Sequence, residues 1–165
     1  MRDTDAAWLA GVLDGEGSFM VTRDVRQGYT SWTPTIAVSS TDLRILDRCK
    51  EIAGGKITSG IQPSGNAKQA GIWTLKGKNL NHVLPAILPF LVSKREQATL
   101  LLILRSEIRP GARPGEQGVR AADDATRQRR ESIRLAVKAL NHRGTTPIPS
   151  EYLSSLDWAR THLLG

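Results

Sequence analysis

The segment Trp8-Leu9-Ala10-Gly11-Val12-Leu13-Asp14-Gly15-Glu16-Gly17-Ser18-Phe19 limits what this chain can fold into more than any other. Read as a helix from about Asp5, it places Trp8, Leu9, Val12 and Leu13 on an apolar face. Ala7, Gly11 and Gly15 form a second line of small residues, four apart, along which another backbone can approach closely. Each helical Gly costs roughly 1 kcal/mol relative to Ala, so the line implies something packed against it. Asp14 and Glu16 fall in the last turn, where the macrodipole disfavours each acid by about 0.3–1 kcal/mol. Gly15 and Gly17 account for the helix stop but not for the carboxylates. A divalent cation lodged there would make them favourable, because hard ions such as Mg²⁺ take oxygen ligands.

The chain has 165 residues, the length of one domain with a real core. No apolar run reaches the length of a membrane span. Met1 to Asp5 is polar and partly acidic, which does not suit a secretory leader. The single Cys49 excludes an internal disulfide or a Cys-based zinc site and reads as a core thiol. The expected setting is a reducing compartment: a bacterial or phage-infected cytoplasm, or an organelle matrix. The formal charge of +7 favours a polyanionic partner over a small-molecule substrate. Its distribution sharpens this: Ile52 to Arg95 contains no Asp or Glu but holds Lys56, Lys68, Lys76, Lys78, Lys94 and Arg95.

Beyond the helix the pattern changes period. Phe19, Val21 and Val25 alternate with Met20, Thr22, Asp24 and Arg26, a half-buried strand with a polar outer face. A loop about Gln27–Ser31 leads to a return strand, Trp32 to Ser39, burying Trp32, Pro34, Ile36 and Val38 and showing Thr33, Thr35 and Ala37. Pro34 predicts an edge or a bulge there. Asp42 or Thr41 caps a helix through Ala53, ended by Gly54-Gly55. A second hairpin follows, with Thr58, Gly60 and Gln62 sharing a face and a turn at 63–66. Its return strand, Gln69 to Leu75, is ambiguous because Ile72 and Trp73 are adjacent and both apolar. Helices then run over Val83–Leu88, over Lys94–Ile108, and, past an excursion at 109–119, over the C-terminal stretch 120–165. The whole reads as one α+β domain.

Leu9-Ala10-Gly11-Val12-Leu13-Asp14-Gly15-Glu16-Gly17 resembles the signature of the LAGLIDADG homing endonucleases, with an acidic residue at the same place near its end. The αββαββα order, opened by that signature, also resembles their fold over about residues 5–108. The resemblance implies a four-stranded antiparallel sheet that binds double-stranded DNA. It implies a site-specific endonuclease that makes a Mg²⁺-dependent double-strand cut at a long, roughly palindromic target, in the homing of an intron or other mobile element. On it, Glu16 is the metal carboxylate, assisted by the Gly15 carbonyl. Lys94 matches the basic residue near the scissile phosphate and Arg44 another basic position, while Ser40 stands where relatives often carry Gln.

Strand parity gives the DNA-facing set: Met20, Thr22, Asp24, Arg26, Thr33, Thr35, Ala37, Thr58, Gly60 and Gln62, with Trp73 as a further candidate. The signature occurs once. A double-strand cut therefore needs a homodimer, with Ala7, Gly11 and Gly15 at its interface and Asp14 fixing either the helix end or, at that interface, the neighbouring subunit's backbone. Two alternatives stand beside this reading. One keeps the fold without chemistry, as a DNA-binding regulator or RNA-splicing maturase. The other is a basic RNA-binding module, which should expose aromatic side chains on a sheet.

Overall fold

The computed structural model describes residues 1–26, 29–61, 70–108, 123–142 and 145–164. Gln62 and the 109–119 excursion lie outside the described residues. The chain begins with α1 (Asp3–Glu16), which leads directly into β1 (Gly17–Arg26) and β2 (Tyr29–Ser40). α2 (Leu43–Ala53), β3 (Lys56–Ile61) and β4 (Ala70–Lys76) follow. Then come α3 (Leu80–Ile87), α4 (Arg95–Glu107), α5 (Asp124–Leu140) and α6 (Ser150–Ala159). The strands form one antiparallel sheet in the order β1-β2-β4-β3.

Every strand presents one face to the helices. Phe19, Ile36, Val38, Trp73 and Leu75 are fully buried there, joined to Leu9 and Leu13 of α1, Leu46 of α2 and Leu100, Leu101 and Leu104 of α4 in one apolar cluster. Ile133, Ala136, Val137 and Leu156 belong to the same cluster, so α5 and α6 brace the sheet. Asn141, just after α5, donates its side-chain N–H to the Phe19 carbonyl at 2.6 Å.

Several local expectations shift. α1 buries Ala6, Leu9, Ala10 and Leu13, spaced i, i+3, i+4, i+7, and leaves Trp8 37% exposed. The two alanines let the helix lie close on the core, which turns the bulky indole to the rim. Pro34 is in an interior strand, but β2 pairs with β4 only over Thr35–Ser40, so Pro34 has a neighbour on the β1 side alone. That one-sided pairing tolerates a residue without an N–H. The bulge lies in β3 instead, between Ser59 and Ile61, and Gly60 falls within it. Val25, expected inside, is exposed. The helices cover the β1–β2 hairpin only as far as Arg23 and Trp32, which meet Glu131 of α5.

Trp73 settles the parity of β4. Its indole is buried and donates to the Gly54 carbonyl at 2.7 Å, so it anchors the turn after α2 and is not on the polar face. Gly54 and Gly55 adopt positive φ in that turn, and a Cβ at Gly55 would lie 2.5 Å from the Thr74 carbonyl oxygen. Only glycine fits between helix and strand at that point.

Candidate active site

Glu16 is the last residue of α1, and its side chain is exposed. No hydrogen bond or ion pair among the described residues engages it. Its position is fixed by Gly17, whose N–H donates to the Leu13 carbonyl as the chain turns extended. A Cβ on Gly17 would lie 2.6 Å from the Leu13 carbonyl oxygen and 2.7 Å from Leu13 Cα and Cδ2, so a side chain there would block the turn into β1. Gly11 and Gly15 are different: both are exposed, and a Cβ on either would meet nothing within 4 Å among the described residues.

Asp14, expected to fix the helix end or the backbone of a neighbouring subunit, bonds to its own chain at the end of α1. Its carboxylate accepts N–H bonds from Val92 (2.7 Å), Ser93 (3.2 Å) and Lys94 (3.0 Å), and the Ser93 hydroxyl at 3.0 Å. Burial pushes the carboxyl up, but these donors outweigh it and hold Asp14 below the usual range. The unfavourable acid in the last turn is thus offset by peptide dipoles from the segment before α4.

Lys94 is 6% exposed, and its ammonium donates to the carbonyls of Leu13 (2.8 Å), Asp14 (2.9 Å) and Gly17 (2.7 Å). The resemblance implied a lysine beside a scissile phosphate. The structure gives it three carbonyl acceptors at the negative pole of α1, on either side of Gly15 and Glu16. A helix C-terminus leaves its last carbonyls unpaired and carries partial negative charge, and a cation there satisfies both.

Ser40 and Arg44 are joined through Asp42. The Ser40 hydroxyl accepts from Asp42 N–H at 3.0 Å, and Arg44 pairs with Asp42 at 2.7 and 2.9 Å with its side chain 90% exposed. Asp42 also takes the Arg44 N–H as the N-cap of α2. No hydrogen bond or ion pair among the described residues joins Ser40 or Arg44 to Glu16.

The face of the sheet turned away from the helices is polar. Ser18, Met20, Thr22, Asp24 and Arg26 are exposed along β1. Across the ladder, Ser18 aligns with Ala37, Ala37 with Thr74 and Thr74 with Lys56, while Met20 aligns with Thr35 and Thr35 with Lys76. Thr33 is half-exposed and Thr58 exposed on the same face. Thr35 and Ala37 share it but are only 2% and 8% exposed. At those positions β2 is flanked on both sides, so short side chains form the floor between longer neighbours. Lys56 and Lys76, noted in the acid-free stretch, complete the surface with Ile72 and Thr74, which sequence reading missed. The adjacent apolar pair Ile72-Trp73 hid the β4 parity, and a tryptophan that must bond a helix-end carbonyl was the usable signal.

A metal site needs several oxygen donors, and the described residues hold no group of three or more His, Cys, Asp or Glu side chains. Mg²⁺ is commonly held by one or two protein carboxylates with waters and substrate phosphates. An exposed Glu16 beside the Gly15 carbonyl fits one share of such a site. Cys49 lies apart in the core, its thiol pushed up by burial to about 11. Among the described residues no helix is long and apolar enough to cross a membrane.

No protein-family model matches the chain, and no curated protein does. Solved structures do. The homing endonuclease I-CvuI in complex with its target in the presence of Ca matches at TM-score 0.65 and 21% identity, over 94% of this chain and 94% of that one. The archaeal intron-encoded homing endonuclease I-Vdi141I, complexed with DNA, matches at TM-score 0.66 and 15% identity over the full length of both chains. The LAGLIDADG homing endonuclease I-GzeII, in complex with a DNA target, matches at TM-score 0.60 and 16% identity, over 91% of this chain but 56% of that one. The chain therefore has the LAGLIDADG homing-endonuclease fold, and the likeness reaches beyond residues 5–108 into the C-terminal helices.

Proposed function

We propose that the protein is a site-specific DNA endonuclease that acts as a homodimer, requires a divalent cation such as Mg²⁺, and serves the homing of an intron or other mobile element. The observation that carries this reading is the corner at the end of α1. It holds an exposed acid, Glu16, with no partner among the described residues, next to two helical glycines where a Cβ would meet nothing within 4 Å among the described residues. The structural neighbours are homing endonucleases crystallised with DNA, which supports a DNA substrate for the same architecture.

The outer sheet face supplies the binding surface. A two-stranded ribbon fits the major groove, where donors and acceptors differ for each base pair. Arg26 can pair with guanine, Asp24 can accept from cytosine, and Met20 can lie against a thymine methyl. Lys56 and Lys76 suit phosphates. Gly11 and Gly15, with Ala7, form a surface on which a second α1 can lie at backbone contact. A twofold helix pair there brings two Glu16 carboxylates together, and their mutual repulsion favours bound cations. Full-length agreement with I-Vdi141I, against about half of I-GzeII, supports one copy of this fold per chain.

Glu16 and the Gly15 carbonyl would hold the metal, which when bound activates water and offsets charge in an in-line displacement at phosphorus. The chain itself provides the orientation of that acid, the groove-reading face and the closeness of the two sites. A reading that keeps the fold without cleavage is favoured by one observation: Arg44, assigned to the catalytic pocket on resemblance, is paired to Asp42 on the surface.

Incubation with plasmid carrying the DNA that flanks the gene, with Mg²⁺ and then with EDTA, separates the two. Cleavage abolished by EDTA is expected. Glu16→Gln should bind the same DNA with unchanged affinity and cut at least about 10³-fold more slowly, the scale at which an essential charged group acts. Cleavage by Glu16→Gln at the wild-type rate overturns the metal assignment, and retardation without cleavage by wild type supports the binding-only reading.

A further inference from the structure

Resting on the reading above, we infer that Asp14 and Lys94 are positioning residues: together they clasp the end of α1 to the start of α4 and so fix where Glu16 points. The geometry is reciprocal. Asp14 of the helix end accepts from the 92–94 segment through both carboxylate oxygens. Lys94 of that segment returns its ammonium to three carbonyls of the helix end and the first residue of β1. Hydrogen bonds of both side chains cross a join of about eighty residues in sequence, in both directions.

The accepting carbonyls, Leu13, Asp14 and Gly17, bracket Gly15 and Glu16. A three-pronged ammonium on that bracket holds the last turn of α1 closed while the chain turns into β1. Without it, the Leu13 carbonyl would keep only the Gly17 N–H, the carbonyls of Asp14 and Gly17 would turn to water, and the turn would fray, as helix ends do. Lys94 is 6% exposed, so its charge is held inside the corner rather than presented on the DNA face. A carboxylate that must hold a metal in register with a phosphodiester depends on such a support, because a misplacement of about 1 Å costs on the order of a hundredfold in rate.

A lysine that instead touched the scissile phosphate would make separable predictions, since Asp14 would then have no share in its effect. The test uses full-length Lys94→Met, Asp14→Asn and the double variant, each measured for DNA affinity without metal and for the single-turnover cleavage rate with Mg²⁺. The clasp predicts that each single variant cuts about a hundredfold more slowly with DNA affinity within about twofold. The double variant should be no slower than the worse single one, because either change opens the same join.

Amide hydrogen exchange of the free protein gives a readout that needs no cleavage. The Gly15–Gly17 amides should exchange faster in both single variants, while Leu100–Leu104 in the middle of α4 stay protected. Multiplying rate losses, a fall in DNA affinity confined to Lys94→Met, or unchanged exchange at Gly15–Gly17 overturns the clasp. Absence of cleavage by the wild type overturns the endonuclease reading and leaves the exchange measurement to decide the clasp by itself.

Discussion

Glycine appears at 11, 15 and 17 for two unrelated reasons. Gly17 is demanded from within, since a Cβ there would fall on the Leu13 backbone. Gly17→Ala should destabilise the fold by about 2 kcal/mol or more, the scale of overpacking against atoms that cannot move, and lower the denaturant midpoint accordingly. Gly15→Ala, with open space at its Cβ, should leave the monomer as stable or add up to about 1 kcal/mol of helix propensity. Equal losses from the two changes would contradict this. The sequence showed a Gly-rich helix end without distinguishing these roles, because residue type does not reveal which atoms lie across a turn. Asp14 and Lys94 were similarly half-legible. A misplaced acid and a lysine after Pro89-Phe90-Leu91 were visible, but their mutual engagement is a contact between residues eighty apart. The burial of Thr35 and Ala37 escaped for the same reason, since it depends on strands lying on both sides of β2.

The elements themselves were readable where their own periodicity decided them. β1 alternates as its residues do from Gly17 to Thr22, and α2 starts at the Asp42 cap. The strand order was not readable, nor was the role of α5, which the packing reveals as a brace. Glu131 of α5 accepts from the Trp32 indole at 2.9 Å and from Arg134 at 2.6 and 3.0 Å, with Arg23 at 3.9 Å. Burial pushes its carboxyl up, yet Arg134, the indole and Arg23 outweigh that and hold it below the ordinary 4.5. A carboxyl lowered on folding adds stability above its unfolded value and loses it as pH falls through its folded one. The contribution of Glu131 should therefore be complete near neutral pH and fade below about pH 4.5. Glu131→Gln should melt about 2–4 °C lower at pH 7, the equivalent of roughly 1 kcal/mol in a chain of this size. The gap should narrow toward pH 3, and a gap that stays constant with pH would show that charge at Glu131 is not what joins α5 to β2.

At the scale of the whole molecule, the proposed function asks of the polar sheet face, the exposed acid and the bare glycines more than one chain supplies. One chain offers one Glu16 and one ribbon surface, whereas a double-strand cut needs two of each. Trp8, left 37% exposed at the rim of α1, suits the edge of the proposed helix–helix contact, centred on Gly11 and Gly15. Gly11→Leu separates assembly from folding, because the added side chain meets nothing within the chain at its Cβ but occupies the space a second α1 would need. The variant should keep the wild-type melting temperature when dilute, sediment as a monomer at concentrations where the wild type is a dimer, and fail to cut both strands. Its affinity for a full target should fall to that of wild type for an isolated half-site, since the second ribbon no longer arrives with the first. A Gly11→Leu protein that remains dimeric would move the interface elsewhere and remove the reason for two carboxylates to meet.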